Sequence, residues 1–136
     1  MVIDTMVFAY ALLGVEQYRD TSVAVLEKTE SIIVPDTLRA ELANVLWQWV
    51  RRAGTAAGKA HDIMEDAEAL YTHVVTSEDL WQQALAFSIE NNPPVYDTLF
   101  ITAAVQRDIQ VVTFDQRLRA AFPEHTLEPD EYLRRA

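Results

Sequence analysis

The chain has no cysteine, so no disulfide can staple it and its stability has to come from packing. At 136 residues it is long enough to manage this as one domain, residues 1–136, burying roughly two thirds of its unfolded surface in a single core. Long apolar runs are missing too. The first hydrophobic stretch carries Asp4 within it, lacks a basic leader and is too short to cross a bilayer, so neither a signal peptide nor a membrane span is expected. With glycine scarce as well, at three residues, the composition suits a compact, soluble, cytoplasmic protein. Basic residues are few: 11 Lys and Arg against 21 Asp and Glu give a formal charge of -10. Averaged over the molecule, this opposes a polyanionic partner, because such binding draws on neutralisation of phosphates by Lys and Arg. A site for divalent cations also reads as acidic, so the deciding question is where the carboxylates converge.

What is present is an alternation of strand and helix patterns. Val2 to Asp4 reads as a first strand and Thr5 to Leu13 as a helix, with a second helical pattern from Glu16 to Thr29. The β-branched "SIIV" (Ser31 to Val34), stopped by Pro35, is a second strand. Asp36 or Thr37 is expected to cap a helix with the apolar stripe Leu38, Leu42, Val45, Leu46 and Trp49, ending at Gly54. A further helix over Ala56 to Tyr71 leads to the strand "HVVT" (His73 to Thr76), and Ser77 is placed to cap a helix from Glu78 to about Glu90. Asn91 to Pro94 is the clearest turn. Then come a helix over Tyr96 to Asp108, the strand "IQVVTF" (Ile109 to Phe114), a short helix, an edge strand near Thr126 to Glu128 and a last helix after Pro129. Such alternation predicts an α/β domain with a mostly parallel sheet covered on both faces.

In an open sheet of this kind, ligands bind beyond the carboxyl ends of the strands. Asp4 ends the first strand and Asp115 follows "VVTF", so both belong to that edge. Glu41 lies one turn into the helix after the second strand, on the side carrying Ala40, Asn44 and Val45; Asp97 begins the helix after the Pro-Pro turn. Plain structural readings stand beside these: Asp4 and Asp97 are placed to cap a helix, and "FDQRL" around Asp115 reads as an ordinary turn into a helix. Four acids from four distant segments would nevertheless form one anionic pocket. Mg²⁺ or Mn²⁺ takes hard oxygen ligands and keeps several waters, so a few carboxylates suffice to hold it against substrate phosphates. The ion lowers the pKa of a water for attack on phosphorus and stabilises charge on the leaving oxygen. His61, His73 and His125 lie at positions unhelpful for such a site.

The segments "VIDTMVFAYAL", "VPDTLRAELANVLWQWVRRAG" and "VYDTLFITAAVQRDIQVVTFDQRL", in this order and separation, span nearly the whole chain. Together they resemble the PIN-domain nucleases, and among these the toxin subunits of bacterial and archaeal VapBC toxin–antitoxin pairs. The acidic quartet of that family falls on Asp4, Glu41, Asp97 and Asp115. The resemblance implies a PIN-like (Rossmann-like) α/β/α sandwich, Mg²⁺- or Mn²⁺-dependent endoribonuclease activity, a homodimer, and neutralisation by a VapB-type antitoxin. It makes Asp4 and Asp97 the main metal ligands, with Glu41 and Asp115 acting directly or through water. Thr5 and Thr113 match hydroxyl positions of the family that orient a carboxylate or water, and Thr113 equally suits strand packing. Met6 departs from the pattern, where Ser or Asn is common. Asn44 shares the helix face of Glu41 and is a candidate support for the pocket. Arg51, Arg52, Arg117 and Arg119 are the candidate contacts to RNA phosphates, although Arg near a helix end is also favoured by the dipole alone. Trp47, Trp49 and Trp81 are expected in the core or a dimer interface rather than as base-stacking platforms.

Other acid-based folds fit less well. A haloacid-dehalogenase-type phosphatase needs a second Asp two residues after the first, where this chain has Met6; a phosphoacceptor receiver domain needs a late Lys, and the only lysines are Lys28 and Lys59. A structure-specific DNA nuclease carries more acids and long insertions. The remaining alternative is a non-catalytic PIN-like binding module.

Overall fold

In the computed structural model, which describes residues 1–136, five short strands form one sheet: β1 (Val2–Ile3), β2 (Ile33–Pro35), β3 (His73–Val75), β4 (Val111–Val112) and β5 (Thr126–Leu127). Their order is β3-β2-β1-β4-β5. Every pairing is parallel, with Val2 opposite both Ile33 and Val111, and Val112 opposite both Ile3 and Leu127. Parallel strands are covered on both faces and so carry continuous apolar sequence. That accounts for Val2, Ile3, Val111 and Val112, all fully buried.

The helices are α1 (Thr5–Leu13), α2 (Arg19–Lys28), α3 (Leu38–Ala53), α4 (Ala57–Glu68), α5 (Trp81–Asn91), α6 (Val95–Gln106), α7 (Gln116–Ala121) and α8 (Pro129–Arg135). Helices α1 to α4 pack with one another, while α5 packs on α6 and α6 crosses β1, β2 and β4. One apolar cluster of 26 buried residues joins these layers. No helix is long and apolar enough to cross a membrane.

Several boundaries differ from the sequence reading, most of them where a hydrogen bond redirects the chain. Helix α2 starts at Arg19, not Glu16, because Tyr18 N–H closes a turn onto Val15 O at 2.9 Å. Pro35 is the last residue of β2 rather than the residue that stops it, and Asp36 N–H continues the ladder onto Val75 O at 2.8 Å. Asp36 does not cap α3, nor does Ser77 cap α5. The carboxylate of Asp36 instead accepts from Ser77 N–H (2.9 Å) and Ser77 Oγ (3.3 Å), tying the two segments together. Thr37, at the cap position of α3, makes no capping bond, and Ser77–Asp79 forms a separate 3-10 turn before α5. Helix α4 ends at Glu68, which frees Tyr71 to meet Phe8 edge-on at 6.3 Å between ring centres. The expected strand over Ile109 to Phe114 contracts to β4 because Ile109 N–H still closes the end of α6, on Ala104 O at 3.0 Å.

The sheet order reverses between β1 and β4: from β1 the chain moves outward to β2 and β3, then returns to β4 on its other side. A crevice opens beyond the carboxyl ends of two such strands, where their following segments diverge.

Candidate active site

At that crevice lies a cavity of about 440 Å³. Asp4, Glu41, Asp97 and Asp115 all line it, together with Thr5 and Asn44. Each acid arrives from a different element, so the fold has brought together residues as far apart in sequence as Asp4 and Asp115.

Asp4 leaves β1 and caps α1. Its Oδ1 accepts from Thr5 N–H at 2.8 Å and its Oδ2 from the Thr113 hydroxyl at 2.6 Å. Thr113 is fully buried, and its oxygen in turn accepts from Asp115 N–H at 3.0 Å. One hydroxyl therefore links the two acids that follow β1 and β4. Thr5, also buried, donates its hydroxyl to Glu41 Oε2 at 2.6 Å, so the residue after Asp4 fixes the acid presented by α3. Asp115 caps α7, with Oδ1 accepting from Arg117 N–H (2.9 Å) and Leu118 N–H (3.0 Å). Asp97 is different. The cap position of α6 belongs to Pro94 and no side chain caps that helix, so the capping role open to Asp97 is not used. Asn44 is exposed at the cavity wall and forms no hydrogen bond to the acids.

No Lys or Arg lines this cavity. The protein's three ion pairs, Arg39–Glu68, Arg119–Glu128 and Arg135–Glu131, all lie elsewhere. Burial without a compensating cation raises the carboxyl pKa values. Burial pushes Glu41 up to about 7, with Asp4 and Asp97 adding repulsion against the opposing effect of the Thr5 hydroxyl. Burial likewise lifts Asp97 to about 6, helped by the charges of Asp4 and Asp115. Asp4 is also raised by burial, against the hydrogen bonds from Thr113 and Thr5. These acids lack a positive charge.

The donor set suits a hard divalent cation. No three of the acids stand close enough together to form a ready ligand trio. Mg²⁺ does not need one, since it keeps several waters and is held through one or two carboxylates plus substrate oxygens. Asp4, fixed on both oxygens, and Asp97, with no structural bond, could supply such carboxylates.

The expected RNA contacts divide. Arg117 lines a cavity of about 600 Å³ that shares Asp97 and Asp115 with the acidic pocket. Arg119 is occupied by Glu128 at 3.6 Å. Arg51 and Arg52 close the far end of α3, ten residues and more beyond Glu41, a rise of about 15 Å along the helix. Arg51 lies over the ring of Trp47 at 4.9 Å. Trp47 and Trp81 are about half exposed, so neither belongs to the core. Sequence reasoning missed the aromatic wall of the pocket: Tyr10 stacks on Tyr18 at 4.4 Å, and both rings meet Phe114. A signal existed, because Tyr10 follows Met6 by one helical turn and Phe114 sits between Thr113 and Asp115.

The fold and site can be set beside known proteins. The crystal structure of PAE2754 from Pyrobaculum aerophilum is similar, with a TM-score of 0.74 over 98% of this chain and 86% of that one. Sequence identity is 16%, so the likeness is one of fold. No curated protein matches the sequence. The sequence model of the PIN domain, whose members are generally nucleases and typically use divalent metal ions, matches residues 1–122. With that match running from β1 through α7, and with the carboxylates at the switch point of an all-parallel sheet, the chain belongs to the PIN domain family.

Proposed function

We propose that the chain is a cytoplasmic Mg²⁺- or Mn²⁺-dependent endoribonuclease, formed as a single PIN domain, and the toxin component of a VapBC toxin–antitoxin pair. The observation that carries this reading is a cavity lined by four carboxylates from four segments with no basic side chain among them. A bound divalent ion supplies a water of lowered pKa and a counter-charge for the leaving oxygen.

The residues divide the remaining work. Asp4 is oriented for ligation by Thr113 and Thr5 N–H, and Asp97 presents its carboxylate from the first turn of α6. Glu41 keeps Oε2 on the Thr5 hydroxyl, which leaves Oε1 to take a proton from an attacking water. Asp115, fixed by two backbone N–H groups, completes the anionic wall. Arg117 stands in the adjoining cavity to contact a substrate phosphate. Two copies forming a homodimer, and a VapB-type antitoxin that covers the pocket with an Arg in place of the ion's charge, complete the proposal.

The test is cleavage of RNA by nuclease-free preparations in Mn²⁺ or Mg²⁺ and in EDTA. Cleavage with either ion and none in EDTA is expected. Undiminished cleavage in EDTA would remove the metal mechanism; no cleavage and no heat on titration with Mn²⁺ would return the chain to a non-catalytic binding module.

A further inference from the structure

The acidic pocket does not stand alone. The cavity carrying Arg117 shares Asp97 and Asp115 with it, and another of about 380 Å³, lined by Ala40, Glu41, Asn44 and Tyr96, shares Glu41 and Asn44. The three adjoin one another through these shared residues, as neighbouring parts of a cleft around the acids.

Tyr96 is the unexplained residue in that cleft. It immediately precedes Asp97, yet its side chain is 67% exposed. Its ring meets no other aromatic residue and its hydroxyl makes no hydrogen bond within the protein. The backbone beneath it is fixed, because Asp97 N–H and Thr98 N–H both close onto Pro94 O, at 3.0 and 3.1 Å. A ring with no internal partner, carried on fixed backbone, thus faces the same cleft as the carboxylates.

Resting on the ribonuclease reading above, we infer that Tyr96 is a stacking platform for one base of a single-stranded RNA segment lying in this cleft, beside the scissile phosphate. Charge supports this. A chain of formal charge -10 with one Arg in the cleft gains little from phosphate neutralisation. Affinity has to come from the ion and from uncharged contacts, and base–aromatic stacking is the uncharged contact open to every base. The strandedness follows from the same ring. In a duplex the base faces are already stacked on their neighbours, so only an unpaired base can offer a face to Tyr96.

The experiment is equilibrium binding of a short oligouridylate carrying one 2-aminopurine, in Ca²⁺, a hard oxygen-seeking cation of the same charge, with binding and fluorescence read for wild type, Tyr96→Phe and Tyr96→Ala. Wild type and Tyr96→Phe should bind alike and quench the probe. Tyr96→Ala should bind about tenfold more weakly and lose the quench, with an unchanged thermal melt; duplex RNA should compete poorly. Equal binding and quenching by Tyr96→Ala would overturn the inference. So would a fall in mass by light scattering that accounts for the lost affinity, since Tyr96 would then belong to a self-association surface. The two readings fail separately: RNA cleaved in Mn²⁺ with no effect of Tyr96→Ala removes the platform alone, RNA stacked on Tyr96 but never cleaved removes the nuclease alone, and no binding by wild type removes both.

Discussion

The four carboxylates share a cavity but not a duty. Asp4 and Asp115 each cap a helix as well as facing the pocket, Glu41 is held by a threonine, and Asp97 has no structural bond. Asp4→Asn separates the two roles of Asp4, because Asn caps about as well as Asp but carries no charge. In thermal melts, the variant should match or exceed wild type in EDTA and lose most of the stabilisation that Mn²⁺ adds to wild type. An equal Mn²⁺-induced rise in both proteins would leave Asp4 as a cap only. The raised pKa values carry a second consequence. Glu41 titrates near 7 in the fold against an ordinary 4.5, and Asp97 near 6 against 3.8. Between those limits the folded protein holds more protons than the unfolded chain, so stability falls as pH rises. Metal-free protein should therefore melt at lower temperature at pH 7.5 than at pH 5, over and above the trend of a Glu41→Gln, Asp97→Asn double variant; identical slopes would contradict burial of these carboxyls without a counter-charge.

At the scale of elements, α3 delivers Glu41 to the pocket. Its stripe of Leu38, Leu42 and Leu46 is almost fully buried, while Gly54 ends the helix at φ 71, a conformation that glycine adopts without a Cβ penalty. Leu42→Ala, next to Glu41, should destabilise the protein by about 2–5 kcal/mol in denaturant titration; a loss below about 1 kcal/mol would mean that α3 is not anchored there. This helix was legible in the sequence because apolar spacing and a terminal Gly agree, and α1 was read to the residue for the same reason. The misread boundaries lie where a specific hydrogen bond, near or distant in sequence, overrides the signal of composition. Ser77 has the composition of a cap, yet its N–H and hydroxyl serve Asp36, 41 residues away. Likewise Ile109 carries strand propensity, but its N–H closes the end of α6.

Over the whole molecule, strand order pointed to Asp4 and Asp115, because strand ends are predictable and a parallel sheet gathers them at one edge; Glu41 and Asp97 lie on helices, and it is the packing of α3 and α6 that brings them to the same cavity. The aromatic residues of the cleft were harder to read: Tyr10 and Phe114 lie beside pocket residues in sequence but carry the same apolar signal as core residues, and only the packed structure separates that wall, and the rim at Tyr96, from the interior. The arginines show the same limit, since the difference between Arg117 in the cleft and Arg119 on Glu128 depends on which way α7 faces. The pocket's excess of negative charge is likewise a property of the assembled fold, and an ion that relieves it while polarising water is the centre of the account. Asp97→Asn tests this most directly, because this acid supports no helix end and its loss isolates chemistry from folding. Single-turnover RNA cleavage at saturating Mn²⁺ should fall by about a hundredfold or more in the variant, with a metal-free melt at or above that of wild type. Cleavage at the wild-type rate by Asp97→Asn would contradict a metal-dependent nuclease centred on these carboxylates.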